Sequence, residues 1–407
     1  MVGWSGRRKA LMILLFTAPT IIGIFIFNVY PLILNTYISF TNRNRFRPNP
    51  DCEAGLNGIL VPNCWSVFGG GEVQTGLGEP YGLADPLFKN YMTVFGDLFT
   101  VPALVALLTI AVAVVPLFVA AQVDSRMNRQ LTRSVPSWVV WTAGLLGVVI
   151  VAWAVNITAA FQELLKTGDF MLVVGRTILF VLIRVPLSFL IGLILALIVS
   201  SPGLPGRTFW RIVLFIPWAA SSVAILMALV WQFIFRDQGV INQVLLALFD
   251  YSGPVWLQNP IYAFGIVVLV DVWFSYPFFM IALLGALAAI PTELYEASEV
   301  DGATFMQQLR TITLPLIRPA VLPAAVLTSI TAFQIFGTVW ALTLGGPTGG
   351  AGQTGATEFV MVYAYRQIFQ TQNYGLATAF AVIIFLALFI ATLYSLRITR
   401  ITKGAYE

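Results

Sequence analysis

The chain has 407 residues, 58% of them hydrophobic and 10% charged, with a mean hydropathy of +0.87, a net charge of +4 and a pI near 9.1. This balance excludes a water-soluble fold, and the basic residues fall mainly in short segments beside apolar runs, where they read as topology signals and not as a nucleic-acid surface. There is no histidine, and none of Lys9, Lys89, Lys166 and Lys403 follows a glycine-rich loop, which excludes histidine catalysis, imidazole metal sites and a P-loop for ATP.

A bilayer core about 30 Å thick needs roughly 20 apolar residues per helix. Eight runs qualify, at about 10–40, 101–122, 137–160, 171–200, 207–235, 262–290, 318–345 and 374–398. The predicted fold is an all-α, polytopic bundle of eight transmembrane helices. The first run follows Arg7, Arg8 and Lys9 and stays apolar to Leu34 with no small-residue cleavage site, which predicts a retained anchor over 1–40. With that basic start inside, the segments 123–136, 201–211, 291–317 and the C-terminus are also cytoplasmic. They carry Arg126, Arg129, Arg133, Arg207, Arg211, Arg310, Arg397, Arg400 and Lys403, against Lys166, Arg236 and Arg366 in the short outer segments. A multi-pass protein of a bacterial or archaeal cytoplasmic membrane, with both termini inside, is expected.

The long loop 41–100 is then external. Arg43, Arg45 and Arg47 do not count against this, since long loops translocate largely regardless of charge. It holds both cysteines, Cys52 and Cys64; outside the cell a disulfide between them is chemically sensible, with two free thiols as the alternative. Over 101–170, two apolar runs joined by Asp124-Ser125-Arg126-Met127-Asn128-Arg129 predict a transmembrane hairpin. Residues 171–407 form the remaining membrane domain.

Within the spans, charge is costly and normally faces a cavity or a partner. Counted from the cytoplasmic helix ends at 1.5 Å per residue, Arg184 stands about 24 Å and Asp271 about 28 Å deep, a similar level. A structural ion pair and a solute contact are both open readings of the two.

A polar island interrupts the apolar pattern at 291–317. Pro291 ends the preceding span, Glu293 and Glu296 suit the first turn of a new helix, Gly302 permits a sharp bend, and Pro315 and Pro319 bracket the entry to the next span. Leu294, Tyr295, Phe305 and Met306 are expected to be exposed and to fill a groove on a partner. Amphipathic helices that lie on lipid favour a basic polar face, whereas this one carries Glu293, Glu296, Glu299 and Asp301, which argues for a protein partner.

The order Glu296-Ala297-Ser298, three residues, Gly302, nine residues, then Ile312-x-Leu314-Pro315 resembles the EAA loop of permease subunits of binding-protein-dependent ABC importers. The departure is Ser298, where alanine is usual. Val270-Asp271-Val272-Trp273-Phe274-Ser275-Tyr276-Pro277, Leu344-Gly345-Gly346-Pro347 and Asn373-Tyr374-Gly375-Leu376-Ala377 are similar to the larger membrane subunit of maltose/maltodextrin importers. The resemblance implies a type I importer permease fold of six core helices, here with the 101–160 hairpin inserted, and without the large external domain that the maltose subunit carries.

It also implies a second permease subunit, two ATPase subunits and an external solute-binding protein as partners. The chain itself would be no enzyme and would hold no cofactor or metal, ATP being bound by the partner subunits. Glu296, Ala297, Ser298, Asp301 and Gly302 would dock an ATPase; Asp271, Phe274, Ser275, Phe278, Thr328, Thr331 and Gln334 would line the substrate path. The implied cargo is maltose, a malto-oligosaccharide or a similar disaccharide, with glycerol phosphate as another solute of such permeases. A proton- or sodium-coupled transporter would need more intramembrane carboxylates than the nearly solitary Asp271, and a membrane enzyme would need clustered acid, base or metal-binding residues.

Overall fold

The eight apolar runs form eight helices long and apolar enough to cross a membrane in the computed structural model, which describes residues 6–47, 81–127, 135–201, 203–348 and 353–399. Cys52 and Cys64, with the disulfide expected of them, lie outside the described residues. In chain order the helices are α1 (Leu11–Ile38), α2 (Lys89–Leu98), α3 (Val101–Met127), α4 (Ser137–Ala154), α5 (Ile157–Thr167), α6 (Asp169–Ser200) and α7 (Arg207–Ile234). They continue with α8 (Val240–Phe249), α9 (Pro260–Ala288), α10 (Thr292–Val300), α11 (Phe305–Phe333), α12 (Gly337–Thr343), α13 (Val360–Thr371) and α14 (Tyr374–Thr399). Among the described residues there are no strands, only two isolated bridges.

The chain divides into two units. The first comprises Met1–Asp97 and Ala364–Phe389. Here the backbone leaving α1 is fastened by Asn90 of α2, whose Nδ2 donates to Ser39 O at 2.9 Å and Thr41 O at 2.7 Å. The Arg43 guanidinium lies over the rings of Tyr81 and Tyr374, 5.2 and 5.8 Å from their centroids, a cation–π arrangement that closes this cap.

The second unit comprises Leu98–Tyr363 and Ile390–Glu407. Its centre is α9, the most buried of the spans, which starts where Asn259 Oδ1 caps the backbone N–H groups of Ile261 and Tyr262 and Pro260 takes the first helical position. Helix α6 packs along α9 at the distance of backbone contact. A Cβ added at Gly192 would lie 2.7 Å from Phe279 Cβ and 3.0 Å from Tyr276 O, so only glycine admits this crossing. Phe180, Phe279 and Phe359 are wholly buried, and the Phe180 and Phe359 rings pack at 4.7 Å between centroids, tilted by 31°. The hairpin of α3 and α4 is antiparallel: Gly144 faces Ala120, Gly147 faces Pro116, and Ser137 Oγ donates to Asp124 Oδ1 at 2.9 Å across its base.

Two of the predicted runs are broken differently from expectation. The run 137–160 stops at Ala154, because Asn156 adopts a left-handed conformation (φ 52°) and its side chain caps a new helix, α5. The run 318–345 ends at Phe333; the chain turns through Gln334–Phe336 and resumes as the short α12. At its other end the span begins earlier than predicted, at Phe305. Thr304 starts it with a capping box, its backbone N–H donating to Gln307 Oε1 at 2.7 Å. A widened π turn at Leu309–Thr313 then precedes Pro315, whose missing N–H needs no acceptor there, so Pro315 and Pro319 lie inside the helix and do not mark its entry.

Candidate functional site: an acidic helix and a buried polar cluster

Helix α10 forms because Pro291 stops α9 and leaves the chain extended (φ −59°, ψ 133°), after which Glu293 sits in the favourable first turn. It ends in a Schellman stop. Gly302 takes φ +74°, its N–H donates to Glu299 O at 3.0 Å, and the Ala303 N–H donates to Ser298 O at 2.9 Å. The bend expected at Gly302 is therefore a left-handed cap that only glycine adopts without strain. Glu293, Glu296, Ala297, Glu299, Asp301 and Gly302 are all exposed.

Two hydrogen bonds tie this helix to the foot of α11. Tyr295 OH meets Thr313 Oγ1 at 2.9 Å, and Gln308 Nε2 donates to Ser298 Oγ at 2.9 Å. The Ser298 hydroxyl, the one departure from the usual alanine, is thus an anchor. Tyr295 corrects an expectation: it is half-buried against the core, because an apolar ring with a polar tip is best placed where Thr313 satisfies its hydroxyl. Leu294, Phe305 and Met306 are exposed as predicted, and Val300, which the sequence reasoning overlooked, is 89% exposed.

Deep in the second unit, a polar cluster joins three spans. Arg184 of α6 forms an ion pair with Asp271 of α9, and its Nη1 donates to the Thr328 carbonyl of α11 at 2.8 Å. One turn along, Ser188 Oγ and Ser275 Oγ share a hydrogen bond at 2.6 Å, while Ser275 Oγ also lies 2.8 Å from Asp271 O. Arg184, Ser188, Asp271, Ser275 and Thr328 are all buried. The substrate-path residues expected from the sequence thus fall into groups. Asp271, Phe274, Ser275 and Thr328 are inside the bundle, Phe278 is half-buried, and Thr331 and Gln334 are exposed. Ser188, the hydroxyl partner of Ser275, was missed; a serine four residues after the intramembrane arginine was its sequence signal.

A second cluster, also missed, lies about two turns nearer the start of α6. Arg176 Nη1 donates to Thr354 Oγ1 at 3.0 Å and Gly355 O at 2.8 Å, and Glu358 Oε2 accepts from the Gly355 N–H at 2.9 Å. Together they hold the backbone leading into α13.

Comparison with known proteins places these features. The chain is similar to the maltose/maltodextrin transport system permease protein MalF of Vibrio vulnificus (strain YJ016), 37% identical over 234 residues, or 56% of this chain and 44% of the relative. The corresponding protein of Klebsiella aerogenes is 34% identical over 258 residues, 62% of this chain and 49% of the relative. The match therefore spans about half the length of these curated relatives. Among solved structures, a bacterial ABC transporter involved in import of the acidic polysaccharide alginate aligns with 59% of this chain and 82% of its own, at 22% identity and a TM-score of 0.49. The MetNI methionine ABC transporter in an inward-facing conformation aligns with 56% of this chain and 92% of its own, at 22% identity and a TM-score of 0.36. The family model of the binding-protein-dependent transport system inner membrane component matches residues 188–400, a stretch that includes Asp271, the acidic helix α10 and its ties to α11. The chain belongs to that family of importer permeases, and its all-α bundle of eight candidate spans is a type I ABC importer permease fold.

Proposed function

We propose that this chain is the translocation subunit of an ATP-driven importer for a sugar of the maltose and malto-oligosaccharide class. It would work beside a second permease subunit, two ATPase subunits that bind ATP, and an external solute-binding protein. In this reading Glu296, Ala297, Ser298, Asp301 and Gly302 present α10 to an ATPase cleft on the cytoplasmic side. Closure of the ATPase pair moves α10, and the membrane domain alternates between inward-open and outward-open cavities as a rigid-body shift. Asp271, Phe274, Ser275, Phe278, Thr328, Thr331 and Gln334 belong to the stretches that face the sugar, and no bond is made or broken in this chain.

The observation that carries the proposal is the mechanical continuity of α10 with α11. The helix is acidic and exposed on its outer side, yet Ser298 and Tyr295 bind it to Gln308 and Thr313 at the base of a span. Movement of α10 is thereby transmitted to α11, whose Thr328 carbonyl holds Arg184. A cation-coupled transporter is disfavoured on the same geometry, because the intramembrane Asp271 is already engaged by Arg184.

The test is ATP hydrolysis by the complex assembled with its partner subunits, measured with the binding protein loaded from a panel of sugars. Stimulation by a maltose-class sugar is expected. A complex that assembles normally and responds to no sugar removes the carbohydrate from the account.

A further inference from the structure

Beside the docking helix, the ends of four spans meet around a crevice of about 460 Å³, a size that suits a small ligand group. Its lining grades from apolar to polar along the helices. Leu197 precedes Ser200 and Ser201 by about one turn of α6, or roughly 5 Å along the axis, so the leucine lies within the span and the hydroxyls at its end. Leu284 and Leu287, in the last two turns of α9, extend the apolar part. Arg211, in the second turn of α7, supplies the charge. It is exposed and has neither ion-pair nor hydrogen-bond partner among the described residues, and no Asp or Glu lines the crevice.

We propose that this crevice binds the phosphate headgroup of an anionic membrane lipid. Arg211 and the Ser201 hydroxyl take the phosphate diester, the Ser200 hydroxyl being already donated to Leu197 O at 2.9 Å, and Leu197, Leu284 and Leu287 cover the start of an acyl chain. Guanidinium groups match phosphate oxygens with charge-assisted, often bidentate hydrogen bonds. Basic pockets between transmembrane helices at the membrane surface are the setting in which lipid headgroups are held. A soluble phosphate needs the arginine but not the leucines, and it is their joint presence at helix ends that selects a lipid. Tyr295 and Thr313 also line the crevice, so the lipid packs beneath the anchor of α10. This site is separate from the sugar path and does not depend on which sugar is carried.

The test counts lipids retained by the full-length chain in neutral detergent, by native mass spectrometry, during titration with phosphatidylglycerol or phosphatidylcholine. Preferential retention of phosphatidylglycerol is expected, weakened about tenfold by Arg211→Gln and largely kept by Arg211→Lys. Arg236→Gln, just past the far end of α7, leaves it unchanged. Leu284→Trp, which fills the apolar part and spares the arginine, also weakens retention and keeps the test alive if Arg211→Gln fails to fold. Equal retention by the wild-type, Arg211→Gln and Leu284→Trp chains overturns the site. Displacement of the lipid by millimolar glycerol 3-phosphate overturns the lipid assignment in favour of a soluble phosphate compound.

Discussion

Arg184 and Asp271 form an ion pair inside the bundle, one residue from α6 and the other from α9, and the same arginine reaches across to the Thr328 carbonyl of α11. A cation and an anion that neutralise each other at a common level allow two spans to carry charge through a low-dielectric core, with a carbonyl of the third as a further partner. Removing one partner strands the other. Arg184→Met or Asp271→Leu alone is therefore expected to destabilise the fold by about 3–5 kcal/mol, whereas the double substitution recovers most of that loss. Thermal unfolding and monodisperse yield in detergent check this; equal losses in all three variants contradict a pair that acts as a unit.

The crossing of α6 and α9 at Gly192 predicts a second effect on stability. A methyl group there lies within 3.0 Å of Tyr276 O and the Met280 backbone nitrogen, atoms that cannot swing aside. Gly192→Ala is expected to cost about 1–3 kcal/mol, and Gly192→Leu more. Gly175, on the same helix but with nothing within 4 Å of an added Cβ, serves as the control: Gly175→Ala is expected to leave the unfolding temperature unchanged or slightly higher.

At Gly302 the constraint is conformational. Nothing stands within 4 Å of an added Cβ, yet φ is +74°. Gly302→Val is expected to destabilise the α10 cap by about 1–2 kcal/mol, while Gly302→Asn, which tolerates this region, costs less. Hydrogen exchange over residues 298–304 separates the two variants; identical exchange rates argue that the cap is not formed in solution.

Ser298 offers a subtler probe. Ser298→Ala restores the alanine usual in the EAA loop but removes the acceptor of Gln308 Nε2. A loss of about 1 kcal/mol in local stability is expected, seen as roughly fivefold faster amide exchange in α10. Tyr295→Phe is expected to act in the same direction by freeing Thr313. Unchanged exchange in both variants contradicts the anchoring of α10 to α11.

Much of this architecture is legible in the sequence because lipid imposes a simple rule. A span needs about 20 apolar residues, and no soluble segment of this chain imitates one. The ends of the spans are less legible. They depend on single caps, such as Asn156 entering the left-handed region and Thr304 pairing with Gln307, and an apolar run does not reveal them. That a separate helix with a stop at Gly302 stands at α10 was readable from its acidic residues and the placement of the glycine. The inward turn of Tyr295 was not, since its partner Thr313 stands eighteen residues away and is brought near only by the π turn of α11. For the buried cluster, depth counting brought Arg184 and Asp271 to one level. The Ser188 and Ser275 hydroxyl pair required the rotation of α6 against α9, which the close contact at Gly192 fixes.

In the proposed function, α10 carries the work of an ATPase into the membrane domain. The most direct measurement is the ATP hydrolysis of the assembled complex, with loaded binding protein, before and after Glu296→Lys. Glu296 is exposed and makes no contact that the spans depend on, so the variant is expected to reach the membrane at normal levels and to lose stimulated hydrolysis by at least about tenfold. Stimulated hydrolysis that persists at the wild-type rate in a normally assembled Glu296→Lys complex contradicts the docking role of α10.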